Sequence, residues 1–232
     1  MALRTDQGIV LRSYPFGESH KVVVLVSANR GKLRTVAKGV RKTKSRFGGR
    51  LEPFTHVEVV LYEGRELHTI TQVEVIEAFP HLRLDLDAVG AAATMTEVVD
   101  HVSQEDEPSS AAFLALRRGL TALEAGERGP DVLSVFLLSI TDALGLAPAL
   151  DHCASCGEPA PTRFSFPAGG AVCDACAPGG AVRLRAGVLE HLTALRRGAD
   201  PDPATADDAL GVARRFVEYH LERRLGSVGV LS

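Results

Sequence analysis

Apolar and polar positions over the first eighty residues follow the pattern of strands. GIVLRSY, KVVVLVS, KLRTVAKG, HVEVVLYE and LHTITQVEVIEA are five segments rich in β-branched residues. Turn formers separate them: Pro15-Phe16-Gly17-Glu18, Asn29-Arg30-Gly31, the stretch 41–53, and Glu63-Gly64-Arg65. Val57, Val59 and Leu61 alternate with Glu58, Val60 and Tyr62, as a half-buried strand requires. Five strands with one longer gap between the third and fourth fit a small closed barrel such as an OB-fold. An SH3-like barrel would give a similar pattern.

After Pro80 the apolar period becomes helical. Val89, Ala92, Ala93, Thr96, Val99 and Val102 predict a helix over 85–103, with Asp85 or Asp87 as N-cap. A second helix is expected from Ser109 or Ser110 to near Gly126, and a third from Pro130, at its first turn. Apolar residues from Val132 to Ile140 cover most of that third helix, which predicts a central buried element. Two more are expected, roughly Ala186–Arg197 and Thr205–Leu225, joined by GADPDPATADD.

Composition adds little to this. With 232 residues, 45% hydrophobic and 24% charged, the chain reads as an ordinary globular protein of one large or two small domains. No apolar run reaches the roughly eighteen residues of a membrane span. The opening MALRTDQGIVLRSYPFGE has no apolar stretch of the signal-peptide kind, so a cytoplasmic protein with reduced cysteines and no membrane partner is expected.

Charge changes the picture more. Residues 1–80 hold 13 basic and 8 acidic side chains, residues 81–232 hold 13 and 21, and all five lysines precede residue 45. A basic front and an acidic back suggest two domains with different partners. The basic charge concentrates in RGKLRTVAKGVRKTKSRFGGR, residues 30–50, where nine of twenty-one side chains are Lys or Arg and none is acidic. Such a cluster, interleaved with Gly, Ser and Thr, is the electrostatic footprint of a nucleic-acid site. It starts in the third expected strand and fills the gap before the fourth, near the strands and loops with which OB barrels bind single strands. Lys32, Arg34, Lys38, Arg41, Lys42, Lys44, Arg46 and Arg50 are the candidate phosphate contacts. Tyr14, Phe16, Phe47, Phe54 and Tyr62 lie close enough in sequence for some to stack on bases, although each taken singly reads better as core. A solvated loop is the plain alternative for the whole stretch.

The four cysteines form one pattern, Cys153-x2-Cys156-x16-Cys173-x2-Cys176. This spacing is that of a four-cysteine zinc site, with Gly157 and Gly169-Gly170 easing the turns. Two disulfides, or four buried thiols, are the alternatives. Four thiolates leave no open coordination position, so one structural Zn2+ is expected rather than a catalytic one. No nucleotide-binding loop, nucleophile elbow or H-E-x-x-H motif occurs, and the eight histidines are scattered, so nothing in the chain argues for an enzyme. Four Arg pairs, 117–118, 196–197, 214–215 and 223–224, fall on expected helices. They read as helix surface or as a site for an acidic peptide.

GIVLRSYPFGES, GKLRTVAKGVRKTKSRFGGRLEPF and LHTITQVEVIEAF closely resemble the N-terminal domain of the bacterial RecO family of recombination mediators. The segment CASCG…FSFPAGGAVCDAC resembles that family's cysteine-rich insertion, and the later helices match in type. The resemblance implies an α+β multidomain protein: an OB-fold barrel over 1–80, an α-helical bundle over 81–149 and 181–232, and a four-cysteine zinc module inserted at 150–180. It also implies a non-enzymatic role in DNA repair and homologous recombination. Family members bind single- and double-stranded DNA, anneal complementary strands, and help load RecA onto DNA coated by single-stranded-DNA-binding protein. The implied partners are RecR and the acidic tail of that coating protein, the implied location the cytoplasm at the nucleoid. An RNA-binding or ribosome-associated zinc protein is the alternative, since OB barrels serve both nucleic acids.

Overall fold

The computed structural model describes residues 3–41, 45, 47–222, 224 and 225. The expected strands form as β1 (Leu3–Phe16), β2 (His20–Ser27), β3 (Gly31–Ala37), β4 (His56–Tyr62) and β5 (His68–Glu77). They close into a barrel in the order β1-β2-β3-β5-β4, the topology of an OB-fold rather than an SH3-like barrel. Neighbours are antiparallel except β3 and β5, which run parallel and share only Thr35↔His68 and Val36↔Thr69. β1 extends further towards the N-terminus than its apolar pattern indicates. Leu3 to Gln7 continue the strand because each pairs with β4, from Leu3↔Tyr62 to Gln7↔Glu58.

Val23 and Leu25 of β2 face the barrel interior with Val10, Leu33, Val57, Val59, Leu61 and Ile70. Val22, Val24 and Val26 project to the opposite side of the strand, yet they too are buried. α1 (Leu86–Val102) and α2 (Ser110–Glu124) pack on β1, and α2 also on β2. Burial on both faces accounts for the unbroken apolar run VVVLV, where a half-exposed strand would alternate. Asp85 caps α1 by accepting from Ala88 N at 3.0 Å. Glu124 at the end of α2 accepts from the backbone N–H groups of His81 and Leu82, tying the helix back to the turn that leads into α1.

The chain divides into two compact units between Gly126 and Glu127. The first unit therefore includes α1 and α2 with the barrel, whereas apolar periodicity marks a change at residue 80. The second unit holds α3 (Pro130–Ala143), the hairpin β6 (Arg163–Ser165) and β7 (Gly170–Val172), α4 (Val188–Arg196) and α5 (Ala206–His220). Leu137, Leu138, Phe164, Leu192, Val212 and Phe216 meet in its core. α3 is less enclosed than its sequence suggests, since Val135 stays 42% exposed. α5 stops at His220, short of Leu225, and Glu222 takes a left-handed φ of 50° just beyond. His191, fully buried, points Nδ1 at the Asp202 carbonyl and Thr205 Oγ1 and Nε2 at Asp131 Oδ1, joining α4 to α3 and to the turn before α5.

Candidate nucleic-acid interface and metal centre

The β3–β4 connection carries the rest of the basic stretch, and the barrel anchors it from inside. Phe47 is 1% exposed and packs with Leu51 in the barrel core, so neither is a surface group. Phe54 is buried with the Arg83 guanidinium 5.6 Å from its ring centroid. Tyr14 is half-buried beneath Arg12. Phe16 differs from these three. It ends β1 at the hairpin tip and keeps 49% of its surface in solvent.

That tip is stitched to the end of β3. Gly39 N donates to His20 Nδ1 at 2.9 Å, Arg41 N to the Ser19 carbonyl at 3.1 Å, and the Arg41 guanidinium to the Gly17 carbonyl at 3.4 Å. Lys38 and Arg41 are exposed on this rim with Phe16, and neither forms an ion pair among the described residues. Arg50 is exposed in the turn that follows Phe47, whose carbonyl accepts from Arg50 N. Lys42, Lys44 and Arg46 lie outside the described residues.

Lys32 and Arg34 are placed differently. Lys32 Nζ donates to the Asp100 carbonyl at 2.6 Å and lies 3.4 Å from Asp100 Oδ1, and Arg12 Nε donates to Asp100 Oδ2 at 2.6 Å. Arg34 pairs with Glu105 at 3.7 Å, while Arg30 reaches Asp106 at 2.7 Å and Glu63 at 3.4 Å. The basic stretch contains no acid of its own, but acids distant in sequence meet its first part. The overlooked signal was the run Glu105-Asp106-Glu107, an acidic loop between two helices with charges opposite to those of β3.

The four cysteines come together in the second unit. All four are free thiols, and their Sγ atoms lie within 4.8 Å of one another. Tetrahedral zinc–thiolate bonds of about 2.3 Å put sulfurs roughly 3.8 Å apart. Cys156 and Cys173 Sγ are separated by 3.8 Å, so the donor set fits such an ion. Gly157 (φ 79°) turns the first knuckle, and a Cβ on Gly170 would overlap the Ala149 backbone that pairs with it. Backbone N–H groups of Cys173 and then Cys156 lower the Cys153 thiol pKa to about 6, while hydrogen bonds to Cys156 and Cys173 push Cys176 up to about 12. One thiolate forms readily and the last resists, as expected of a cluster whose full ionisation calls for a cation. Among the described residues, this is the group of three or more His, Cys, Asp or Glu with metal-holding geometry.

The Arg pairs are largely engaged within the fold. Arg117 binds Glu77, Arg196 binds Asp142, Arg197 binds Asp151 and Arg214 binds Glu218. Arg118 and Arg215 form no ion pair among the described residues, and Arg223 lies outside them. No helix among the described residues is long and apolar enough to cross a membrane.

Comparison with known proteins agrees with the order of these parts. Residues 1–79 match the family model "Recombination protein O N terminal" and residues 83–228 match "Recombination protein O C terminal". Three proteins named DNA repair protein RecO are similar along their whole length. The one from Frankia casuarinae is 41% identical, with 100% of this chain and 99% of the relative covered. That from Nocardioides sp. is 43% identical, with 97% and 98% covered, and that from Thermobifida fusca 39%, with 98% of both. With a closed OB barrel, a helical second unit that carries a four-cysteine knuckle, and matches from end to end, the chain belongs to the RecO family.

Proposed function

We propose that this chain is a DNA repair protein that acts by binding rather than by catalysis. In this reading it binds single- and double-stranded DNA through the first unit and anneals complementary strands without a nucleotide. With RecR it helps load RecA onto DNA coated by single-stranded-DNA-binding protein, whose acidic tail meets the helical part. It works in the cytoplasm, at the nucleoid. Cys153, Cys156, Cys173 and Cys176 hold one zinc ion, which supplies folding energy to the knuckle and offers no open position for chemistry.

The observation that carries the reading is the rim where Lys38, Arg41 and the exposed Phe16 lie together. Cations take phosphates, and an aromatic face takes a base whatever its identity. The resemblance and the names of the relatives supply the biological setting.

The test is a salt series with a labelled oligothymidylate. Each phosphate contact adds about 0.7 to the slope of log K against log salt. Lys38→Ala/Arg41→Ala should therefore flatten the slope by about 1.4. Phe16→Ala should weaken single-strand binding roughly tenfold, within the range expected for one lost stack, and leave the slope and duplex binding as they were. An unchanged slope in the folded double variant would place the site elsewhere. Equal competition by oligouridylate would shift the reading towards RNA.

A further inference from the structure

The connection between α1 and α2 contains Gln104-Glu105-Asp106-Glu107, and it lies alongside β3 as a short parallel bridge. Lys32 N donates to the Gln104 carbonyl at 2.9 Å, and Asp106 N donates to the Lys32 carbonyl at 3.3 Å. The approach is close enough to require a glycine. Gly31 has φ 65°, and a Cβ there would overlap the Glu107 carbonyl. This seating aims the acidic side chains at the turn before β3 and at β3 itself: Asp106 at Arg30, and Glu105 at Arg34.

The strap has two parts of unlike strength. Its backbone is fixed by ladder hydrogen bonds and by the contact at Gly31. Its carboxylates form exposed ion pairs, with Glu105 and Asp106 side chains 51% and 58% in solvent. Exposed pairs of this kind are weak, so the carboxylates can turn away while the backbone stays seated. A phosphodiester offers the same guanidinium groups a ligand of the same sign.

We propose that this acidic strap is a built-in competitor for the nucleic-acid surface. Its carboxylates sit where phosphates would contact Arg30 and Arg34, and a bound strand must displace them. The inference rests on reading β3 and the stretch after it as a nucleic-acid surface. Lys32 takes no part in the exchange, because Asp100 holds its ammonium group against α1. The exchange has a thermodynamic signature. A phosphate that binds a free arginine releases a counterion from the strand, but a displaced carboxylate stays tethered beside that phosphate, leaves the local charge unreduced, and so keeps the counterion in place. The strap therefore lowers both affinity and salt dependence.

The experiment measures binding of a labelled oligothymidylate across a salt series, using the full chain. Glu105→Gln/Asp106→Asn keeps the shape of the strap and removes its charge. Glu66→Gln/Glu74→Gln removes two exposed charges from the same unit that form no ion pair among the described residues. The strap variant should steepen the slope by at least about 0.7, from the freed Arg34, and by no more than about 1.4, because Arg30 keeps Glu63, and it should tighten binding several-fold at low salt. The control should leave the slope unchanged. Should the double variant fail to fold, Glu105→Gln alone should steepen the slope by about 0.7. A strap variant with the wild-type slope, or a control that steepens equally, overturns the inference and leaves the nucleic-acid reading standing. Wild-type protein whose binding shows no salt dependence overturns both.

Discussion

His56 shows how one side chain ties the barrel to its helices. It is buried on β4, its ring meets Phe113 of α2 edge-on at 5.5 Å, and Nδ1 lies 3.2 Å from Glu77 Oε2. Burial drives the His56 pKa down, outweighing the hydrogen bond and charge of Glu77. Burial pushes Glu77 up, but hydrogen bonds from Arg117 and then His56 prevail and hold it below its ordinary value. Both folded-state values are depressed, so both groups contribute stability that is present above their unfolded pKa and lost as pH falls. The first unit should lose thermal stability as the medium is acidified from neutrality through the ordinary His range, and again below the ordinary Glu range. Melting curves against pH would check this, and His56→Gln should flatten the first decline while keeping the second. None of this was legible in the sequence, because a histidine in a strand carries no mark of the helix that will cover it. Phe16 is the reverse case. Its neighbours Pro15 and Gly17 announce a hairpin tip, and tips are where an aromatic stays exposed.

Among the elements, those defined by local pattern were readable. The apolar period located the five strands, Asp85 and Pro130 marked helix starts, and the cysteine spacing marked the knuckle. What could not be read depends on contacts between distant segments. Leu3 to Gln7 became strand through pairing with β4, and Phe47 became core because the β3–β4 connection folds back into the barrel. The strap's carboxylates neutralise part of β3 from some seventy residues downstream. The knuckle is a separate matter, since its only regular structure is a hairpin of two three-residue strands. Its order should depend on the ion. Elemental analysis of reduced protein should find one zinc per chain, and Cys156→Ser should lower that content and expose residues 150–180 to protease. Oligothymidylate binding should persist in the variant, because the contacts assigned to DNA lie in the first unit. Protein that carries no metal yet resists protease in this segment would refute the assignment.

For the whole molecule, the charge division at residue 80 and the structural division at Gly126 do not coincide. α1 and α2 belong to the acidic part of the sequence but to the barrel's unit, so acidic groups are built into the basic surface. The way the barrel closes has a further consequence, for the order in which it forms. β1, β2 and β3 make one meander with short turns, and β4 and β5 make a hairpin. These pieces form through local contacts, which assemble early because little chain entropy is lost in closing them. Their union along β1 and β4 is seven residue pairs long, whereas β3 and β5 meet over two pairs. The two-pair seam is therefore the last part to zip up and the first to come apart. In native-state hydrogen exchange, the amide of Val36, which points away from β2 towards β5, should be replaced through brief local opening, well before those of Val23 to Leu25. Equal protection at both places would mean that the barrel opens only as a whole.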